Sequence, residues 1–270
     1  MNCLKRGRSA LSCVTIQIET SNQSEESEMA GQDIKISASE GGTFDAYLAL
    51  PASGSGPGVV IIPSVYGVDG DVRDMADELA GHGFTVAAPD PFWRGDNGPM
   101  DRSEDGQRRA AARAKDREPI IERGVQDLAD TLADLKARDE CNGRIAVIGL
   151  CYGGPYAILG PARLGCDAGI AFHGTKVQNY LGELDGVTVP LVLHWGDQDH
   201  ALPAEALAQV RAATEGRANT DITIYPGVQH GYTAAVNPPG YDENATRNSL
   251  ARAVEVINGL RDSDTLAAAS

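Results

Sequence analysis

The sequence predicts an α/β protein: a mostly parallel central sheet with helices on both faces, preceded by an N-terminal antiparallel hairpin. Two observations lead there. Short apolar runs rich in Val, Ile and Ala recur between Gly and Pro signals, as strands buried on both faces require. Segments with apolar residues at helical spacing separate those runs, and this alternation is the pattern of parallel strands joined by crossovers. No repeat or linker interrupts the stretch, so one domain over residues 33–261 is expected.

In chain order, Asp33 to Ala38 and Thr43 to Leu48 read as the hairpin, turned at Gly41 and Gly42. Gly58 to Ile62 is a buried strand followed by the loop Ser64 to Gly70, and Asp71 to Gly81 is an amphipathic helix. Phe84 to Ala88 is the next strand, and Pro89 to Gly98 is a loop leaving its carboxyl end, where such sheets bind ligands. Arg102 to Arg117 is charged and poor in large apolar residues, which predicts a solvated surface helix. Glu118 to Ala137 is a stronger helix, with Ile121, Val125, Leu128, Leu132 and Leu135 in register. Further strands are expected at Arg144 to Ile148, Ala168 to Phe172, Leu191 to His194 and Asp221 to Tyr225, and helices at Ala204 to Ala213 and Glu243 to Leu260.

The termini differ in character. Residues 1–32 open with Lys5, Arg6 and Arg8, pass a short mixed segment and become polar, so a disordered extension is expected, or synthesis starting at Met29. The apolar part is too short and interrupted for a secretory signal. Residues 262–270 form a polar, Ala-rich tail. A net charge of −15 over 270 residues argues against nucleic acid and anionic membranes as partners, since both need basic patches. Five scattered cysteines without a CxxC pair argue against a disulfide framework and for a reducing cytoplasm. There is no apolar run long enough to span a membrane.

The chemistry centres on Gly149-Leu150-Cys151-Tyr152-Gly153-Gly154, between the strand Arg144 to Ile148 and a helix starting at Tyr156. A nucleophile between glycines at a strand-to-helix turn is the nucleophile elbow of the α/β-hydrolase fold, here with cysteine. Side chains at Gly149 and Gly153 would collide with the neighbouring strands, and a helix N-terminus would favour the Cys151 thiolate. A cysteine in such a turn is also a common apolar filler. Two later residues raise the catalytic reading: an acid stands after a late strand and His230 after the last one, the order Cys, Asp, His of this fold. Asp199 is the acid expected to orient the imidazole, with Asp197 in reserve. His194, Asp197, Asp199 and His200 also admit a metal reading, but their order does not match a known ligand pattern, and no metal or cofactor is predicted. His194 ends a buried strand and reads as a hydrogen-bonded core histidine.

The motifs GLCYGG, HWGDQDHALP and GVQHGY, with APDPFWR after the early strand, resemble those of the dienelactone hydrolase (carboxymethylenebutenolidase) family across Asp33 to Leu260. The resemblance implies Cys151 as nucleophile, His230 as general base and acid, and Asp199 as its orienting carboxylate. It implies an oxyanion hole made by the backbone N–H groups of Tyr152 and Val65. It places Arg94 at a substrate carboxylate. Trp93, Ser64 and His173 are further expected substrate contacts, His173 from its place just after the Ala168 to Phe172 strand, where a structural role stands beside that one. Two departures mark the chain. The family's glutamate near Ser64 is missing, which eases a resting thiolate–imidazolium pair, and its second arginine would align near Ala234. The expected activity is therefore hydrolysis of lactones or activated esters through a thioester, by a monomer or homodimer acting on a small molecule. A general carboxylesterase or thioesterase is the alternative within enzymes, and a non-catalytic ligand-binding or thiol-sensing relative the alternative outside them.

Overall fold

Eight strands form one sheet in the order β1-β2-β4-β3-β5-β6-β7-β8. The computed structural model describes residues 31–115, 117–237 and 239–261. The expected extension up to Ala30, the start at Met29 and the tail from Asp262 lie outside them. β1 (Gln32–Ser37) begins one residue inside the expected extension and pairs antiparallel with β2 (Thr43–Ala49). β2 then pairs antiparallel with β4 (Thr85–Pro89), so the hairpin is one edge of the sheet.

The remaining strands are parallel: β3 (Gly56–Ile62), β5 (Cys141–Leu150), β6 (Ala168–Phe172), β7 (Leu191–Gln198) and β8 (Thr220–Gln229). Every residue of β3 and β6 is buried, which is why those strands read as unbroken apolar runs. Alternate residues face opposite layers. Val59, Ile61 and Ile148 pack with α1 (Gly70–Gly81) and α6 (Glu243–Asn258). Val60, Ile62 and Val147 pack with α3 (Arg117–Lys136) and with Tyr156 and Leu159 of α4 (Tyr156–Leu164). Leu193 and Trp195 pack with α5 (Ala204–Thr214). Asp69 and Asp242 cap α1 and α6 by accepting from Val72 N and Ala245 N at 3.3 and 2.8 Å.

Three features depart from the expectation. α4 runs on to Leu164 through Pro161, which lacks the N–H that would bond Ala157 O; Gly169 of β6 lies so close to that carbonyl that a Cβ there would sit 1.8 Å from it. Val177–Gly186 forms 3-10 turns that the sequence pattern did not indicate. α2 (Glu104–Lys115) is not simply solvated: Arg113 is only 5% exposed and donates to the carbonyls of Val65, Asp96 and Gly98.

The parallel register sets the site. Ile62 is level with Gly149, Leu150 with Phe172, and Phe172 with His194, so the loops leaving these strands open at one rim. Among the described residues no helix is long and apolar enough to cross a membrane.

Candidate active site

Cys151 follows β5 directly with φ +48°, a left-handed conformation that costs a non-glycine residue energy. The surroundings hold it there. Its carbonyl accepts from Gly154 N and Thr175 N at 3.1 and 2.8 Å and from Thr175 Oγ1 at 3.2 Å. The flanking glycines are required sterically: a Cβ on Gly149 would lie 2.1 Å from Gly153 O, and one on Gly153 would lie 2.3 Å from Ile62 O. Cys151 starts a 3-10 turn and α4 begins only at Tyr156, so the expected field of an α-helix end is weakened at the sulfur.

His230 comes just after β8, and its Nε2 lies 3.2 Å from Cys151 Sγ. Its Nδ1 faces both carboxylate oxygens of Asp199 at 2.9 Å. The Asp199 side chain is fully buried, and its Oδ1 also accepts from Ala201 N at 2.8 Å, which fixes its direction. Asp197 instead accepts from Gly227 N at 2.7 Å and ties the end of β7 to β8. Of the two aspartates, then, Asp199 is the one that meets the imidazole. Burial alone would lower the His230 pKa; the Cys151 thiolate and the bond to Asp199 outweigh it and raise it to about 10.

His173 also opens onto this cavity, which measures about 260 Å³ and is lined by Ser64 as well. It has φ +42°, pairs through Nε2 with Thr233 Oγ1 at 2.8 Å, and sets its ring edge-on to that of His230 at 5.1 Å. Burial, with the nearby His230 charge, holds its pKa well below the ordinary value, so it is neutral. Val65 N–H has no acceptor among the described residues, while Val65 O takes Arg113 Nη1 at 2.9 Å. The Tyr152 ring is buried against Phe92 at 5.0 Å.

Arg94 and Trp93, expected at the substrate, are elsewhere. Arg94 makes a two-pronged pair with buried Asp127 at 2.7 and 2.8 Å and a 2.5 Å bond to Glu40. Trp93 bonds Asp127 at 3.1 Å and stacks on Phe44. A guanidinium satisfied on both edges in this way is not presented to the cavity, and Arg94 lines a separate one beside Pro91 and Arg113. His194, Asp197, Asp199 and His200 do not gather as metal ligands. Among the described residues the one such group within 4.8 Å is Cys151, His173 and His230. His194 is buried, with Nδ1 3.0 Å from Tyr225 Oη.

Sequence reasoning did not point to Tyr66, Asp69, Asp71 and Arg102, which line the same cavity as Cys151 and His230. Asp69 carried a readable signal as the residue before an amphipathic helix, but as a cap and not as a cavity wall. Arg102 lies in the charged stretch expected to be solvated.

A strained cysteine at the end of a central strand, an imidazole on it and a buried carboxylate behind, all at one rim of a mostly parallel sheet, define an α/β-hydrolase. Solved structures agree on the fold. A dienelactone hydrolase-like promiscuous phosphotriesterase, P91, from metagenomic libraries aligns with TM-score 0.73 at 20% identity, covering 86% of this chain and 99% of that one. A putative dienelactone hydrolase from Klebsiella pneumoniae aligns with TM-score 0.68 at 21% identity, covering 84% and 98%. The model of the dienelactone hydrolase family matches residues 44–260. Carboxymethylenebutenolidase 1 of Cupriavidus pinatubonensis is 32% identical over 87% of this chain and 99% of its own, and carboxymethylenebutenolidase of Pseudomonas sp. strain P51 is 31% identical over 88% and 99%. The chain belongs to the dienelactone hydrolase family, and is thereby a hydrolase of lactones or esters acting on small molecules.

Proposed function

We propose that the protein hydrolyses lactones or activated carboxylic esters through a Cys151-His230-Asp199 triad and a thioester intermediate. The observation that carries this reading is the continuous contact from sulfur to imidazole to carboxylate, 3.2 Å and then 2.9 Å. Cys151 as thiolate attacks the carbonyl carbon, and the oxygen takes the negative charge towards the backbone N–H groups of Val65 and Tyr152. Such a donor contributes on the order of 3 kcal/mol to the barrier reduction. His230 gives its Nε2 proton to the departing alkoxide or enolate oxygen as the C–O bond breaks and the thioester remains. The neutral imidazole then removes a proton from water, which attacks the thioester carbonyl and expels the thiolate, restoring the ion pair. Asp199 keeps the Nδ1 proton in place throughout.

Thiolate is a good leaving group, so the first tetrahedral adduct returns to substrate when the other leaving group is a simple alkoxide. Enol lactones and activated esters are the matching class. Ser64 Oγ, 3.2 Å from Tyr66 N, and neutral His173 are assigned to contact the acyl group. Turnover of p-nitrophenyl acetate by wild type and not by Cys151→Ala tests the proposal, with the acetyl group traced to Cys151 by mass spectrometry after rapid quench. Equal turnover by the variant would end it; ligand binding without turnover would favour a non-catalytic relative.

A further inference from the structure

The loop after β3 must present Val65 N–H in one direction if it is to receive an oxyanion, and two soft dihedrals separate that N–H from the Val65 carbonyl. A turn gives the loop some order of its own, with Gly67 N donating to Ser64 O at 3.0 Å and Tyr66 N to Ser64 Oγ at 3.2 Å. Bonds from two other segments fasten its carbonyls. Met100 N donates to Tyr66 O at 2.8 Å, and Arg113 Nη1, on α2, donates to Val65 O at 2.9 Å.

Arg113 has the wrong chemistry for a filler. It is buried, and a buried guanidinium ordinarily pairs with a carboxylate. Its hydrogen bonds go instead to backbone carbonyls: Nη1 to Val65, Nη2 to Gly98 at 2.8 Å, and both Nε and Nη2 to Asp96, Nε at 2.9 Å. The segment that supplies Asp96 and Gly98 is itself fixed to the sheet. Buried Asp90, one residue past β4, accepts from Phe92 N at 2.9 Å and from Gly98 N at 2.6 Å. Gly67 lets the loop after β3 come close, since it has φ +79° and a Cβ there would lie 2.8 Å from Gly98 O and 3.3 Å from Arg113 Nη1. The planar guanidinium is therefore a bridge from the end of β4 to the loop after β3.

We propose that Arg113 is a positioning residue of the oxyanion hole, holding the loop after β3 so that Val65 N–H faces the charge that develops on the substrate carbonyl oxygen. The inference rests on the hydrolase reading of the site. Arg113 lines the cavity beside Arg94 and not the one that Cys151 opens onto, so its effect on turnover travels through the loop.

The test uses the full chain as wild type, Arg113→Met and Arg113→Lys, with p-nitrophenyl acetate as substrate, trifluoroacetone as inhibitor and iodoacetamide as a probe of the sulfur. Addition of the Cys151 thiolate to the ester or to trifluoroacetone forms the Sγ–C bond as the carbonyl π pair moves onto oxygen. Alkylation forms an Sγ–C bond as iodide leaves, and no carbonyl oxygen gains charge. An oxyanion hole that loses one donor outright slows by roughly 10²–10³, so a donor kept but misdirected should cost about ten- to a hundredfold. In Arg113→Met kcat should fall by that factor with KM within about twofold of wild type, and the Ki of trifluoroacetone should rise comparably. The rate of Cys151 alkylation should stay at the wild-type value across the pH range. Because Ki does not depend on the amount of folded enzyme, a partly unfolded preparation does not imitate this result. Arg113→Lys keeps the charge without the planar fork and should lie between wild type and Arg113→Met; it carries the comparison by itself should methionine prevent folding. A Ki unmoved in the variants, or alkylation that slows as much as turnover, overturns the inference alone. Wild type that turns over no ester overturns the hydrolase reading, and the inference with it.

Discussion

Replacing His230 with Ala should return Cys151 to the reactivity of an ordinary thiol, and the size of that change can be worked from the contact. Opposite unit charges 3.2 Å apart attract by about 5 kcal/mol at an effective dielectric constant of 20. Removing two ions from water opposes this, yet His230 is raised to about 10 in spite of its burial, so pairing wins. A net coupling of about 3 kcal/mol corresponds to roughly two pH units in the onset of thiolate. An unperturbed thiol ionising near 8.5 is about 0.3% thiolate at pH 6, whereas a paired one is about a third ionised, roughly a hundredfold more. The assay is the rate of iodoacetamide alkylation of the substrate-free enzyme between about pH 5 and 9.5, with the Cys151 peptide followed by mass spectrometry. Buried Cys166, pushed up to about 12 by burial, serves as a silent internal control. Wild type should react well below pH 8 and His230→Ala only near the ordinary thiol value. A wild-type midpoint near 8.5, or one that the substitution leaves in place, refutes the resting ion pair.

Asp199→Asn keeps the packing but leaves the imidazole free to take the wrong tautomer, so kcat on p-nitrophenyl acetate should drop by roughly 10²–10⁴ with an unchanged circular dichroism spectrum; a loss below about tenfold would remove Asp199 from the mechanism. Gly153→Ala places a Cβ 2.3 Å from Ile62 O, and urea unfolding should show a destabilisation of about 1–3 kcal/mol. Wild-type stability in that variant would mean the elbow and β3 can separate freely. Burial lowers His194 from 6.5 to about 4, so the unfolded chain takes up a proton first as pH falls. The neutral ring's contribution is full above pH 6.5 and is lost between there and about 4, amounting to about 3 kcal/mol. Denaturant titrations at several pH values should show a shallower acid slope for His194→Gln than for wild type, and equal slopes would place the acid sensitivity elsewhere.

The range of each interaction decides whether the sequence reveals it. Cys151, Asp199 and His230 each stand just past a strand, Cys151 and His230 with glycines close by on both sides, and these local patterns with the strand order made them readable as candidates. The strands themselves were legible because β3, β4 and β6 are buried along their whole length. The pairing of Arg94 was not legible because its partner Asp127 stands on α3, thirty-three residues away, and no local signal reports that pair. Arg102 and Arg113 were missed for a related reason: helical periodicity registers buried apolar side chains, whereas these guanidinium groups are held by a carboxylate and by backbone carbonyls. The ends of β7 and β8 ran past the apolar runs for the same cause, since Gln198 and Gln229 pair by backbone register and carry no hydrophobic mark.

The missed arginine on α2 connects the fold to the chemistry. Arg113 holds the carbonyl of Val65 at 2.9 Å, and its guanidinium covers the Phe92 ring at 4.1 Å. That ring packs in turn on Tyr152 at 5.0 Å. The two residues whose N–H groups are proposed to receive the oxyanion are thus reached from one buried side chain, through a hydrogen bond on one side and an aromatic contact on the other. Burial lowers the pKa of Arg113, the cost of placing a charge there, and the carbonyls of Asp96 and Gly98 share in offsetting it. A hydrophobic residue would fill the same space without that cost. What it would not supply is direction: three carbonyl groups converging on a planar donor fix where the loop after β3 lies relative to the elbow after β5. Donors aimed in advance at a developing charge stabilise it without reorganising.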